Sequence, residues 1–141
     1  MDYDVLIASN YEQFRAQDRK ALETLSGIQS GRIREAASKD EVVRTIDEVI
    51  ASGGTIGVIA TELHLDRAAT GAPSNGLVIL EYAKRFGIPV IIRASEDPNI
   101  FGKYLVKKGA FYVQKKVGIE MDSELAETVK TAISQRKIAP N

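Results

Sequence analysis

Three stretches of this chain, residues 4–8, 56–60 and 90–94, are apolar with little of the polar alternation that a strand half open to water carries. Runs of that length and pattern fit strands inside a parallel sheet covered on both faces. Two less apolar or shorter runs, residues 33–37 and 111–113, complete a set of five expected strands.

The intervening segments have helical spacing. Residues 10–25 direct Phe14, Ala21, Leu22 and Leu25 toward a core, with Asn10 as the expected cap and Gly27 behind. In residues 41–51, Val42, Val43, Ile46, Val49 and Ile50 recur at three- and four-residue steps. Asp40 is placed to cap that helix and Gly53-Gly54 to end it. Asn75-Gly76 is expected to precede a helix through Leu77, Leu80, Tyr82, Ala83 and Phe86, closed by Gly87. Pro98 suits the first turn of a helix to Lys108 that Gly109 stops. Asp122 is the expected cap of a last helix with Leu125, Ala126, Val129, Ala132 and Ile133 on its apolar side.

Strand and helix thus alternate five times, which implies right-handed crossovers and helices on both faces of one parallel sheet. The expected fold class is α/β, a flavodoxin-like (βα)5 three-layer sandwich with strand order 2-1-3-4-5. In that order, sites form beyond the C-terminal ends of the strands. Here those ends are Ser9-Asn10, Thr61-Glu62, Ala94-Ser95 and Lys115-Lys116. One domain is expected over residues 1–136, with 137–141 as a tail or the start of a linker.

Composition narrows the chemistry. The chain has 141 residues, no Cys and one His, His64. A disulfide framework, thiolate catalysis and a Cys-ligated metal are excluded, and a Ser-His-Asp triad is excluded unless His64 serves it. Nineteen basic residues balance 19 acidic ones, which argues against direct nucleic-acid binding by charge alone. No apolar run approaches the ~20 residues of a bilayer span, so no membrane contact is expected and the cytoplasm is the default location.

Three segments carry a family likeness. Residues 58–65, Val-Ile-Ala-Thr-Glu-Leu-His-Leu, resemble the segment of response-regulator receiver domains that reads apolar run, Asp, Leu, any residue, Leu, Pro. Residues 88–96 resemble that family's Pro-Val-Ile run ending in Thr-Ala or Ser-Ala. Residues 109–116, Gly-Ala-Phe-Tyr-Val-Gln-Lys-Lys, resemble Gly-Ala, aromatic, apolar, Lys-Pro. The resemblance covers residues 4 to about 136 and implies a chemotaxis-regulator-like signalling module of two-component systems rather than an enzyme.

The chain departs from that family at the functional positions. The acidic pair that would hold magnesium falls on Ser9 and Asn10, and the phosphoacceptor Asp falls on Glu62. Lys115 keeps the family's lysine and Tyr112 its switch aromatic. The switch hydroxyl position falls on Ala94, with Ser95 offset by one residue, and Lys116 replaces the usual proline. Magnesium requires near-octahedral oxygen coordination with one or two carboxylates, and Glu62 is the sole carboxylate of the aligned set. Without the ion, phosphoryl transfer loses its main charge stabiliser, and the extra methylene of Glu displaces the nucleophile from in-line geometry.

The expectation is therefore a pseudo-receiver: a protein-interaction module without cofactor, metal or catalytic residue, its surface state set by Glu62, Lys115 and Tyr112. Glu62 is expected either to mimic an activated charge paired with Lys115 or to be a neutral replacement. The alternatives are a receiver phosphorylated unconventionally in a phosphorelay, and a flavodoxin-like small-ligand domain. The latter has only a Ser9–Lys115 dyad to offer, which Glu62 disfavours by keeping the lysine protonated.

Between Pro98 and Ile119 stand Lys103, Lys107, Lys108, Lys115 and Lys116 with no acidic residue. With Tyr104 they mark the fourth helix, fifth strand and fifth helix as a surface for a protein partner of acidic character, or for a second copy of the chain. His64 and Asp66 are expected in a loop. The small and turn-forming residues from Ala68 to Ser74 are expected as a segment over the site, either a lid or an insertion.

Overall fold

A computed structural model describes residues 3–65, 74–94, 98–115 and 121–138, with the side chains at 98–101, 115, 137 and 138 left aside. The elements run β1 (Asp4–Ala8), α1 (Glu12–Leu25), a 3-10 turn (Ser30–Arg32), β2 (Ile33–Ala36), α2 (Lys39–Ala51), β3 (Ile56–Glu62), α3 (Asn75–Lys84), β4 (Val90–Ala94), α4 (Pro98–Lys107), β5 (Tyr112–Lys115) and α5 (Met121–Ile138). The strands form one sheet of order β2-β1-β3-β4-β5, all neighbours parallel, as the alternating pattern predicts.

Two apolar layers cover it. On one face Val5, Ile7, Val58, Ala60 and Ile91 meet Leu22 of α1 and Leu125, Val129 and Ala132 of α5. On the other, Leu6, Ala8, Ile59, Val90, Ile92 and Ala94 meet Val42, Ile46 and Val49 of α2, Ile79, Leu80 and Ala83 of α3, and Leu105 of α4. β1, β3 and β4 are buried along their full length, so alternating residues serve opposite layers.

Several boundaries differ from the sequence reading. α1 begins at Glu12 with Tyr11, not Asn10, at its cap position; Asn10 is exposed, and the Ser9 hydroxyl accepts from the Tyr11 N–H at 3.2 Å. Leu25 is 52% exposed, and Asp18, one turn beyond Phe14, takes a buried place on the inner side of α1. α2 starts two residues earlier than Asp40 would set it. Ser38 accepts from the Glu41 N–H at 3.2 Å, and the Glu41 carboxylate accepts from the Ala37 N–H at 3.2 Å, a variant of the capping box in which the carboxylate reaches the N–H just before the cap residue. Gly53, at φ 84°, ends that helix as expected. Asn75 and Gly76 lie within the first turn of α3 rather than before it, and Asp122 lies within the first turn of α5. β3 runs two residues beyond Ala60, β2 stops at Ala36, and β5 is displaced to Tyr112–Lys115. α5 continues through Ile138, two residues into the expected tail.

Among the described residues no helix is long and apolar enough to cross a membrane.

Candidate functional site

The register places the site. Ala8 pairs with Thr61, so Ser9 stands level with Glu62; Glu62 pairs with Arg93, and Arg93 with Gln114. Ser9, Glu62, Arg93 and Gln114 therefore form a transverse row at the C-terminal tips of four adjacent strands. Each is buried, at 1%, 6%, 3% and 1% exposure, where polar groups must find partners.

Ser9 is fixed from three sides. Its hydroxyl donates to Glu62 Oε1 in a buried hydrogen bond and accepts from the Tyr11 N–H. Its carbonyl accepts from Arg15 Nη1 at 2.7 Å, which ties the start of α1 to the tip of β1. The Glu62 carboxylate is thus turned toward β1, with Ser9 where the resemblance puts one member of the acidic pair. Asn10, the other member, faces solvent.

Next along the row, Arg93 Nη1 donates to Asp18 Oδ2 in a buried ion pair linking β4 to α1. Burial holds the Asp18 carboxyl above its ordinary value, opposed by the attraction and hydrogen bond of Arg93 and reinforced by the nearby charges of Asp122 and Glu62. Asp122 itself accepts from Gln17 Nε2 at 3.1 Å. Gln114 Nε2 donates to the Met121 carbonyl at 2.7 Å, joining β5 to α5. Arg93 Nε and Gln114 Oε1 are buried and have no hydrogen-bond partner among the described residues.

Neither Asp18 nor Arg93 nor Gln114 was singled out by the motif comparison. The signal was present: a guanidinium inside a strand covered on both faces has to be paired in the interior, and an Asp on the apolar side of α1 is the complementary anomaly.

Ala94 is buried on the opposite face, packed with the layer that includes Leu63 and Leu105, and presents a methyl group there. The Lys115 backbone pairs with Ala94 at the end of β5. Its side chain, Ser95, Lys116, Asp66 and the 68–73 stretch lie outside the described residues. His64 lies in the turn after β3 and is exposed, as expected.

The donor set does not fit a magnesium ion. Glu62 is the one carboxylate of the aligned positions, its Oε1 already accepts the Ser9 proton, and Asn10 points to water. Among the described residues no group of three or more His, Asp or Glu side chains is arranged to hold a metal.

A second feature lies over α4 and β5. Tyr104, Val106 and Tyr112 are 50%, 54% and 39% exposed, large values for such side chains. With Lys103, Lys107 and Val113 they line a mainly apolar groove of about 760 Å³. The Tyr112 hydroxyl donates to Glu124 of α5 at 2.8 Å, which raises its pKa above that of a free tyrosine and fixes the ring over the groove. Lys108 sits over the Tyr104 ring at 5.6 Å. Of the residues expected from the sequence as a partner surface, Lys103, Tyr104 and Lys107 line this groove beside Tyr112, and Lys108 packs on the Tyr104 ring.

No protein-family model matches this sequence, and no curated protein matches it. Solved structures match in shape. A response regulator receiver domain protein from Clostridium thermocellum is 20% identical, with a TM-score of 0.76 over 97% of this chain and 98% of that one. A CheY-like receiver domain protein from Methanospirillum hungatei is 16% identical, with a TM-score of 0.73 over 97% and 98%. The receiver domain of NtrX from Brucella abortus is 16% identical, with a TM-score of 0.72 over 93% and 98%. The chain therefore has the fold of response-regulator receiver domains; identities this low establish the fold alone.

Proposed function

We propose that this chain is a pseudo-receiver: a signalling module of the cytoplasm that works through protein contacts and without magnesium-dependent phosphorylation. The observation that carries this reading is the buried Ser9–Glu62 hydrogen bond. A phosphoacceptor has to present a free carboxylate oxygen in line with the donor phosphorus, next to a bound cation. Here a carboxylate one methylene longer than Asp is held by a hydroxyl from the strand that would otherwise contribute an acid. Glu62 then supplies a standing negative charge at the strand tips, and Lys115, at the end of β5, is its expected counterpart.

Output belongs to the α4–β5–α5 surface in this reading. The groove lined by Tyr104, Val106 and Tyr112 supplies apolar area, and Lys103 and Lys107 at its rim steer an acidic protein partner by long-range attraction. A second copy of the chain is the competing occupant.

The test is a phosphodonor challenge. The purified chain is incubated with acetyl phosphate and separately with beryllium fluoride, each with and without magnesium, and followed by intact mass and by amide chemical shifts. Neither a phosphoryl mass increment nor a saturable magnesium-dependent shift at residues 9, 62 or 115 is expected. A stable acyl phosphate, or saturable magnesium binding, overturns the reading in favour of an unconventionally phosphorylated receiver.

A further inference from the structure

The tip of β4 carries a charge that the Ser9–Glu62 contact does not account for. Arg93 is 3% exposed and stands in register between Glu62 and Gln114. One of its terminal nitrogens is committed to Asp18, while its Nε is buried without a partner among the described residues. Parallel neighbours in register project to the same face of a sheet, so Arg93 and Glu62 both enter the layer under α1. The Asp18 carboxylate lies within electrostatic reach of both. Two carboxylates, from α1 and β3, thus share one interior region with this guanidinium. A buried charge persists only where opposite charge compensates it, and guanidinium, with five donors in a rigid fork, is suited to more than one acceptor.

We infer that Arg93 is a counter-cation shared by Asp18 and Glu62, acting beside Lys115 as a resident charge that lets the strand-tip carboxylate stand without a metal. The inference deepens the metal-independent reading and rests on it. In this role Arg93 is a positioning residue: it acts through the two carboxylates and couples α1 to the end of β4.

A double-mutant cycle on the full chain tests it. R93M and E62Q are made singly and together, and urea unfolding is measured at neutral pH in low salt. R93M is expected to raise the unfolding equilibrium constant at least about fivefold more when Glu62 is present than in the E62Q background. R93K, which restores the charge, is expected to recover most of that difference, a rescue that a role in packing alone does not give. Should R93M fail to fold, R93Q takes its place, since its amide is polar and carries no charge. An equal cost of losing Arg93 in both backgrounds overturns the inference, whatever magnesium does. Magnesium binding by the unmodified chain with the coupling intact instead overturns the metal-independent reading and leaves the charge-sharing standing.

Discussion

Gly76 has no side chain because there is no room for one. A Cβ there would lie 2.7 Å from the Leu63 Cα and 3.0 Å from the Leu63 and Glu62 carbonyl oxygens, all backbone atoms that cannot turn aside. The Gly76 N–H also donates to the Leu63 carbonyl at 2.9 Å, so α3 is seated directly on the end of β3, one residue from Glu62. G76A is expected to cost about 1–3 kcal/mol in chemical denaturation, the ordinary penalty of overpacking. Asp18 gives a prediction of opposite character. Its carboxyl holds a proton to higher pH in the folded chain than the 3.8 of an ordinary Asp, because burial outweighs the pull of Arg93. The folded state therefore binds more protons than the unfolded one just above that value, and Asp18 contributes progressively less stability as pH rises through that window. Urea titrations of the unmodified chain and D18N are expected to show the difference, native minus variant, declining from acid toward neutral pH. The sequence exposed one half of this pair and concealed the other. Arg93 is conspicuous inside an apolar run, but that its partner stands 75 positions away on α1 is a fact of tertiary packing that local pattern does not encode.

At the scale of elements, sequence periodicity was most informative where burial is two-sided. β1 and β4 have the bounds that their largely apolar runs predict, whereas β3 extends two residues past the expected Ala60, because Thr61 and Glu62 look like the start of a loop. They remain strand because backbone pairing continues to Ile92 and Arg93, which is the reason Glu62 is buried at all. Helix starts differ by one or two residues from the expected ones where several capping residues compete. Ser38 wins over Asp40 because Glu41 stands three residues after it and completes the pair of capping bonds. S38A is expected to lower stability by about 1 kcal/mol in thermal or urea unfolding, and D40A, whose carboxylate is exposed, by much less. On α1 the mistaken expectation for Leu25 has a similar cause: spacing alone admits it to the apolar side, but the helix ends there and Asp18 occupies part of the face beneath.

For the molecule as a whole, the alternation of strand and helix was enough to give the architecture, while the site's chemistry was legible only as a set of positions. Those positions were placed by resemblance on Ser9, Asn10, Glu62 and Lys115; which of them touch was left to the fold, and the Ser9–Glu62 bond is its answer. Both apolar layers grip the same sheet, so neither can melt without stripping the other's support. A single cooperative transition is therefore expected, with far-UV circular dichroism and the fluorescence of the five tyrosines, in a chain without Trp, giving coincident midpoints. The opposite rim of the sheet, away from the site, has its own consequence. The Arg136 guanidinium lies over the Tyr3 ring at 5.7 Å and donates to the Gly87 carbonyl, so the first strand and the last helix meet at that rim. A short bridge joining the two there, with a cut at the Gly53-Gly54 turn, should yield a circularly permuted chain that regains the same sheet, since the covalent order of the pieces matters less than the surfaces they bury.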